Sequence, residues 1–369
     1  MHSTSFKNAW HAADRLSFFI ILILSGIGLL FIFSTTYTPE QPYSIFFKKQ
    51  VCGVVFGIIL YILCTLIDYR SLARFGYLSF FASLILLLYT LIKGTIGMGA
   101  QRWINAFFFK IQPSELVKIS LPSFIGYYTH SYYPTMLKTL PDYALILFFT
   151  LISFVLILKQ PALGTSLIIL FSAISMCWFS GLARKYFLYS FFIVTCCAPL
   201  LWNYVLKPYQ KKRIMVFIGY GDTHRERYQR EQAIIAIGSG GLWGKGFLHG
   251  TQNILKFLPE NRTDFIFAIL CEEWGFVGAF LVLILYLILF IRNLISISMH
   301  PSCMVQLMGI GMLMHIIFST GINIGMVLSL LPIVGQPLPF MSYGLAHLLI
   351  TYISFGILQN ITIQQKVSW

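Results

Sequence analysis

Charge is what this sequence most lacks. Only 10% of its 369 residues are charged, and 12 are Asp or Glu; a soluble domain averages about 25% charged residues. That scarcity excludes an ordinary water-soluble fold, and the lack of a long soluble segment argues against a separate globular domain. Seven cysteines (Cys52, Cys64, Cys177, Cys196, Cys197, Cys271 and Cys303) show neither metal-type spacing nor a disulfide framework. They read as small packing residues. No Ser/His/Asp triad, no His/Cys ligand cluster and no Asp-x-Asp pair for a metal is visible; metal ligands are therefore expected to be none. His130, His249, His315 and His347 are scattered and read as ordinary polar residues. There is no nucleic-acid-binding motif or basic domain, no internal repeat and no low-complexity stretch.

What is present is apolar: 57% of the residues are hydrophobic and mean hydropathy is +0.78. A bilayer core needs about 20 apolar residues per helix, fewer inside a bundle. On that ruler the chain is an all-α polytopic membrane protein of about ten spans, 16–36, 51–67, 74–93, 114–129, 143–158, 162–181, 187–205, 264–291, 304–328 and 343–361. They form a single integral membrane domain over residues 1–369. The first run is too long for a removable signal peptide. Short segments on the N-terminal side carry slightly more Lys and Arg than those opposite, a bias that places the N-terminus in the cytoplasm. Seven spans then put the largest polar segment, 206–263, on the outer face. Ten of the chain's basic residues lie in it, suited to anionic headgroups or to a pyrophosphate.

That segment ends at Thr263-Asp264-Phe265-Ile266, which reads as a helix start, with Thr or Asp accepting first-turn amide hydrogens. Asp264 is either this cap alone or a carboxylate held for chemistry on a lipid-linked substrate. Nearby cations and first-turn amides are expected to keep it ionised. Glu115 and Lys118 stand three apart at the start of the most polar span, on one helix face. They read equally as a self-neutralising ion pair or as a substrate site, because intramembrane charges usually face a partner or a cavity. Arg102, in Gly99-Ala-Gln-Arg102-Trp103, offers a planar fork for phosphate or carboxylate. The glycine-rich stretch 236–246 contains Lys245 but lacks P-loop spacing; its glycines suit close backbone packing. Residues 332–344, with three prolines and two glycines, are expected to form a stiff lid or wall. Glu272 and Glu273 read as buried and hydrogen-bonded.

Together these motifs resemble the shape, elongation, division and sporulation family, the RodA/FtsW proteins. The resemblance is carried by Gly99–Trp103, Gln112-Pro-Ser-Glu115, Gln160-Pro161 with Leu163-Gly-Thr165, Ala236–Gly241, Gly244-Lys-Gly246, Gly250-Thr-Gln252, Phe257–Glu260, Thr263–Ala268, Asn323–Val327 and Pro337-Leu-Pro339 with Ser342-Tyr-Gly344. Gly250-Thr-Gln252 before Phe257–Glu260 looks like the elongation-type branch, with the division-type polymerase as the alternative. The resemblance implies a peptidoglycan glycosyltransferase that polymerises lipid II on the outer face of the cytoplasmic membrane. Partners implied are a class B penicillin-binding transpeptidase and elongation-complex membrane proteins. Asp264 takes the place of the family's essential acid, a general base for an inverting single displacement. Glu115, Lys118, Arg102, Lys245 and Ser342 are the expected substrate-binding residues. A divalent cation, Mg or Mn, bound partly by the substrate has no dedicated motif. Two departures stand out: Ala162 where the family has Asp, and Leu345-Ala346-His347 where it continues Gly-Ser or Gly-Gly-Ser. A lipid II flippase and a scaffold for the transpeptidase are the rival readings.

Overall fold

In a computed structural model, residues 12–97, 100–106, 109–132, 139–206, 208–218 and 224–367 are described. Gly99 and Asp222 lie outside them. The helices are α1 (Arg15–Thr36), α2 (Ile45–Leu66), α3 (Tyr69–Lys93), α4 (Pro113–Tyr132), α5 (Ala144–Lys159), α6 (Leu163–Phe179), α7 (Arg184–Leu200), α8 (Pro208–Ile218), α9 (His224–Gly240), α10 (Thr251–Ile254), α11 (Ile266–Ser298), α12 (Cys303–Val327) and α13 (Leu345–Val367). Among the described residues seven helical stretches are long and apolar enough to cross a membrane: α1, α2, α3, Leu140–Lys159, α11, α12 and Leu345–Lys366; α6 is a shorter apolar helix. Helices α4 and α7 fall on the remaining expected spans.

Local chemistry sets the helix boundaries. Asp14 and Ser44 stand just ahead of α1 and α2, where their side-chain oxygens accept the backbone N–H of Ser17 and Phe47, satisfying donors that a first turn leaves free. Asp14 also receives both arms of Arg292, from Nε at 2.9 Å and Nη2 at 2.7 Å, which ties the start of α1 to the end of α11. Helix α4 is buried along most of its length, including Glu115 and Lys118, and packs against α3, α12, α6 and α13. That enclosure accounts for its polarity: its charges meet protein rather than lipid.

Two features depart from a plain bundle. Between α3 and α4 the chain forms a three-stranded antiparallel sheet, β1 (Thr95–Gly97), β2 (Ala100–Ala106) and β3 (Phe109–Ile111), in the order β1-β2-β3. Helix α11 is broken at Gly275, whose φ of 65° is a conformation that glycine adopts without steric cost. The 240–246 stretch docks across the break. Lys245 and Gly246 donate their N–H groups to the carbonyls of Glu272 and Glu273, and Phe276 and Val277 donate to those of Gly241 and Leu242. These four bonds pair groups that the broken helix would otherwise leave unpaired. The described residues of the 206–263 segment are thus folded, with α9 packed on α11.

Candidate active site

Asp264 sits at the end of a tight turn. Glu260 adopts a φ of 55°, and its carbonyl oxygen accepts the N–H groups of Thr263 at 3.2 Å, Asp264 at 3.1 Å and Phe265 at 3.3 Å. Helix α11 begins at Ile266 with Phe265 in the cap position and no side-chain cap bond. Asp264 therefore does not cap the helix, contrary to the sequence expectation: Phe265 holds the cap position, and it is the Phe265 carbonyl that accepts the Ala268 N–H at 3.0 Å. The Asp264 carboxylate accepts no hydrogen bond from a described residue.

The backbone around Asp264 is clamped by three elements. Asn323 on α12 donates its amide to the Asp264 carbonyl at 2.9 Å and to the Gln336 carbonyl at 2.6 Å. Gln336 in turn donates to Thr165 Oγ1 on α6 at 3.0 Å. Ser342 donates its hydroxyl to the Thr263 carbonyl and accepts the Leu338 N–H at 2.8 Å; Tyr343 N–H bonds the Arg262 carbonyl at 2.9 Å. Gly335 has a φ of 65°, and a methyl group there would lie 3.2 Å from Asp264 Oδ2. The 332–344 loop is a buried wall rather than a lid, with Leu338, Phe340 and Met341 in the core.

This setting disfavours charge on Asp264. Burial pushes its carboxyl up to about 7 and the Glu260 carboxylate adds to the rise, while Arg213 and Arg102 pull the other way without prevailing. The expectation that nearby cations and helix amides keep Asp264 ionised is corrected. No amide of a described residue bonds the carboxylate, and desolvation penalises the charged form.

The other expected site residues separate into distinct groups. Arg102, presented by β2, donates Nε to the Gln160 carbonyl at 2.9 Å and Nη2 to the Pro161 carbonyl, bracing the turn into α6 while remaining in electrostatic reach of Asp264. Lys245 is committed elsewhere: its ammonium meets Glu272 Oε1 at 2.6 Å and Thr251 Oγ1 at 2.8 Å. Glu272 and Glu273 are both buried; Glu273 accepts from the Ser34 hydroxyl at 2.5 Å and from Leu248 N–H at 3.2 Å. Ser342 is occupied by its two backbone partners. Glu115 and Lys118 form a buried pair at 2.6 Å. His347 is not an ordinary polar residue, since its Nδ1 stands 3.2 Å from Glu115 Oε2 inside the bundle; the sequence shows the residue but not that α13 aims it at α4. The sequence does not single out Asn323, Gln336 or Glu260 as site residues, and it offers Arg213 only as one of the ten basic residues of 206–263. An Asn within an apolar helix and a Gln among the prolines of 332–339 were the available signals. Among the described residues no group of three or more His, Cys, Asp or Glu could hold a metal ion.

Comparison with known proteins fits this architecture. The chain is 34% identical over 322 residues to the peptidoglycan glycosyltransferase MrdB of Escherichia coli (strain K12), covering 87% of this chain and 86% of that protein. It is 31% identical over 426 residues to the peptidoglycan glycosyltransferase RodA of Treponema pallidum (strain Nichols), covering 95% and 98%. Among solved structures, a chain described under the coordination of polymerization and crosslinking by a peptidoglycan synthase complex superposes with a TM-score of 0.81 at 25% identity, covering 97% of this chain and 98% of that one. The crystal structure of the Thermus thermophilus rod shape determining protein RodA gives 0.71 at 26% identity, covering 96% and 98%. The cell cycle protein family model FTSW_RODA_SPOVE matches residues 14–367, and with relatives this similar along nearly its whole length the chain belongs to the FtsW/RodA/SpoVE family.

Proposed function

We propose that this protein is a peptidoglycan glycosyltransferase of the cytoplasmic membrane that polymerises lipid II with Asp264 as general base. The observation that carries the assignment is Asp264 itself: a half-buried carboxylate that accepts no hydrogen bond from a described residue, fixed through its backbone by Asn323 and by Ser342 through Thr263. A carboxyl near 7 is close to the operating pH, where a general base works best. In the reaction the acceptor hydroxyl attacks the anomeric carbon of the donor sugar and its proton passes to Asp264. The bond from that carbon to the pyrophosphate oxygen breaks, and the electron pair leaves with undecaprenyl pyrophosphate. Attack opposite the leaving group inverts the anomeric centre, turning an α-linked donor into a β-linked product. Fixed cations stabilise the departing charge most where water is scarce, and Arg102 and Arg213, both in electrostatic reach of Asp264, are the candidates for that role.

Ten crossings with the 206–263 segment on the outer face agree with the apolar runs and with the side on which such a substrate is polymerised. The described carboxylates support no dedicated metal site, so a divalent cation would depend on the substrate's own phosphates, and no step above runs through one. A class B penicillin-binding transpeptidase is the partner this reading implies; a relative's solved structure is of a complex that couples polymerization and crosslinking.

The test is purified Asp264→Asn supplied with lipid II. Glycan chains are expected from the parent protein and none from the variant, with membrane insertion unchanged. Polymer at the parental rate would end the catalytic assignment. Loss of lipid movement between leaflets, from a protein that polymerises nothing, would favour the flippase.

A further inference from the structure

His347 lies in the stretch where this chain departs from the family pattern, three residues beyond Gly344 and on the first turn of α13. Its ring is buried, and Nδ1 faces Glu115 Oε2 at 3.2 Å while Lys118 holds Glu115 Oε1 at 2.6 Å. A neutral imidazole in this place donates from Nδ1, because a carboxylate only accepts. The cluster then sums to zero charge, one ammonium against one carboxylate with a neutral donor between helices. His315 on α12, also buried, stands in electrostatic reach of all three groups.

The same short segment of chain touches the proposed base. Five residues before His347, Ser342 bonds the Thr263 carbonyl, and Tyr343 bonds the Arg262 carbonyl. Gln50 on α2 holds Ser342 from the other side, through its carbonyl at 3.2 Å. Contacts therefore run from Lys118 and Glu115 on α4 to His347, and, after the five-residue step of backbone back to Ser342, on to the peptide beside Asp264.

We propose that His347 is a positioning residue that anchors the 342–347 segment to the buried Glu115–Lys118 pair and thereby fixes the backbone carrying Asp264. The proposal rests on Asp264 being the base. It assigns the ion pair a mechanical part in catalysis: Glu115 is the fixed post, Lys118 neutralises it, and His347 ties the 342–347 segment to it. A small residue at 347 would leave this link unmade.

Two variants of the full-length protein separate this role from simple packing. His347→Asn retains an amide donor able to reach Glu115, whereas His347→Leu fills space without one. A displaced catalytic group costs turnover rather than ground-state binding, so kcat of the Leu variant should fall about 10- to 100-fold with KM for lipid II little changed, and the Asn variant should recover most of the loss. Equal kcat in the two variants, or a loss confined to KM, would overturn the proposal. A thermal cycle reads the contact independently of activity. His347→Leu combined with Glu115→Gln should lower Tm by less than the sum of the single changes, as coupled partners do; additive losses would refute the link. Glu115→Asp, which shortens the carboxylate, replaces Glu115→Gln if that variant is not recovered. Failure of the parent protein to polymerise lipid II would remove the glycosyltransferase reading, and the thermal cycle would still decide whether His347 and Glu115 are coupled.

Discussion

The raised Asp264 carboxyl makes a quantitative demand on the pH dependence of polymerisation. Burial and the Glu260 carboxylate lift it from 3.8 to about 7. A general base must be ionised to accept a proton, so activity should be near half-maximal at about pH 7 and fall about tenfold per unit below it. At about pH 6 roughly a tenth of the enzyme is competent, and at about pH 5 roughly a hundredth. An unshifted aspartate would leave the rate flat over the same range. Glu260→Gln removes the neighbouring negative charge and keeps the side-chain shape, so it should move the acidic limb to lower pH. The assay is initial-rate glycan synthesis from lipid II by parent and Glu260→Gln proteins, in buffers of matched ionic strength, with lipid II binding measured at each pH. A parental rate unchanged between about pH 5 and pH 8 would refute the desolvated-base argument. A limb that stays in place in Glu260→Gln would remove Glu260 from it.

The same shift predicts that Asp264→Asn is a more stable protein. The folded state binds the Asp264 proton more tightly than the unfolded chain, so the acid's destabilising effect grows as pH rises from about 4 to about 7 and is constant above; its ceiling is about 4 kcal/mol, reduced because the side chain is partly exposed. A Tm for Asp264→Asn no higher than the parent's at alkaline pH would contradict this. Glu115→Gln leaves the Lys118 cation buried without its partner and should cost about 3–5 kcal/mol; adding Lys118→Met should restore part of that stability, and a further loss in the double variant, read by thermal melting, would show that the two do not act as a pair. Ala162 occupies the cap position of α6 with no side-chain cap, so Ala162→Asp should gain about 1 kcal/mol as an N-cap without a large rise in activity; a large rise that required added divalent cation would mean that a metal role had been lost here. Gly335→Ala places a methyl against Asp264 in a left-handed conformation that costs of order 1–3 kcal/mol, and should lower kcat; unchanged activity would show that the wall has room to yield.

Much of the fold was legible because burial in lipid demands long apolar helices, and runs such as 16–36 and 304–328 leave no other reading. Glu115 and Lys118 could be paired from spacing alone, since three residues is a helical distance. Asp264 could be placed at a helix threshold, but its charge state could not. That depends on burial by elements distant in sequence and on the balance of Glu260 against Arg213 and Arg102, which is set only when the chain folds. Lys245 looked available in the sequence because Glu272, its partner, lies 27 residues away and faces it only after the chain folds back over Gly275. The strands around Arg102 were missed for a similar reason: three short segments are a weak signal beside long membrane helices.

The break at Gly275 also has a bearing on how the enzyme sits in its lipid. Helix α11 contains 33 residues, roughly 50 Å of helix, well beyond a hydrocarbon thickness of about 30 Å. The part after Gly275, Phe276 to Ser298, measures roughly 34 Å and suffices for the crossing by itself. The nine residues before it then act as a post of about 13 Å that carries Asp264 away from the hydrocarbon. Because the 240–246 stretch splints both sides of the break, the height of that post is set by residue count and hydrogen bonding. Thinning or thickening of the bilayer should tilt the protein as a unit and leave the distance from lipid midplane to the carboxylate almost unchanged, so glycan synthesis should proceed at similar rates in vesicles of short-chain and long-chain lipids.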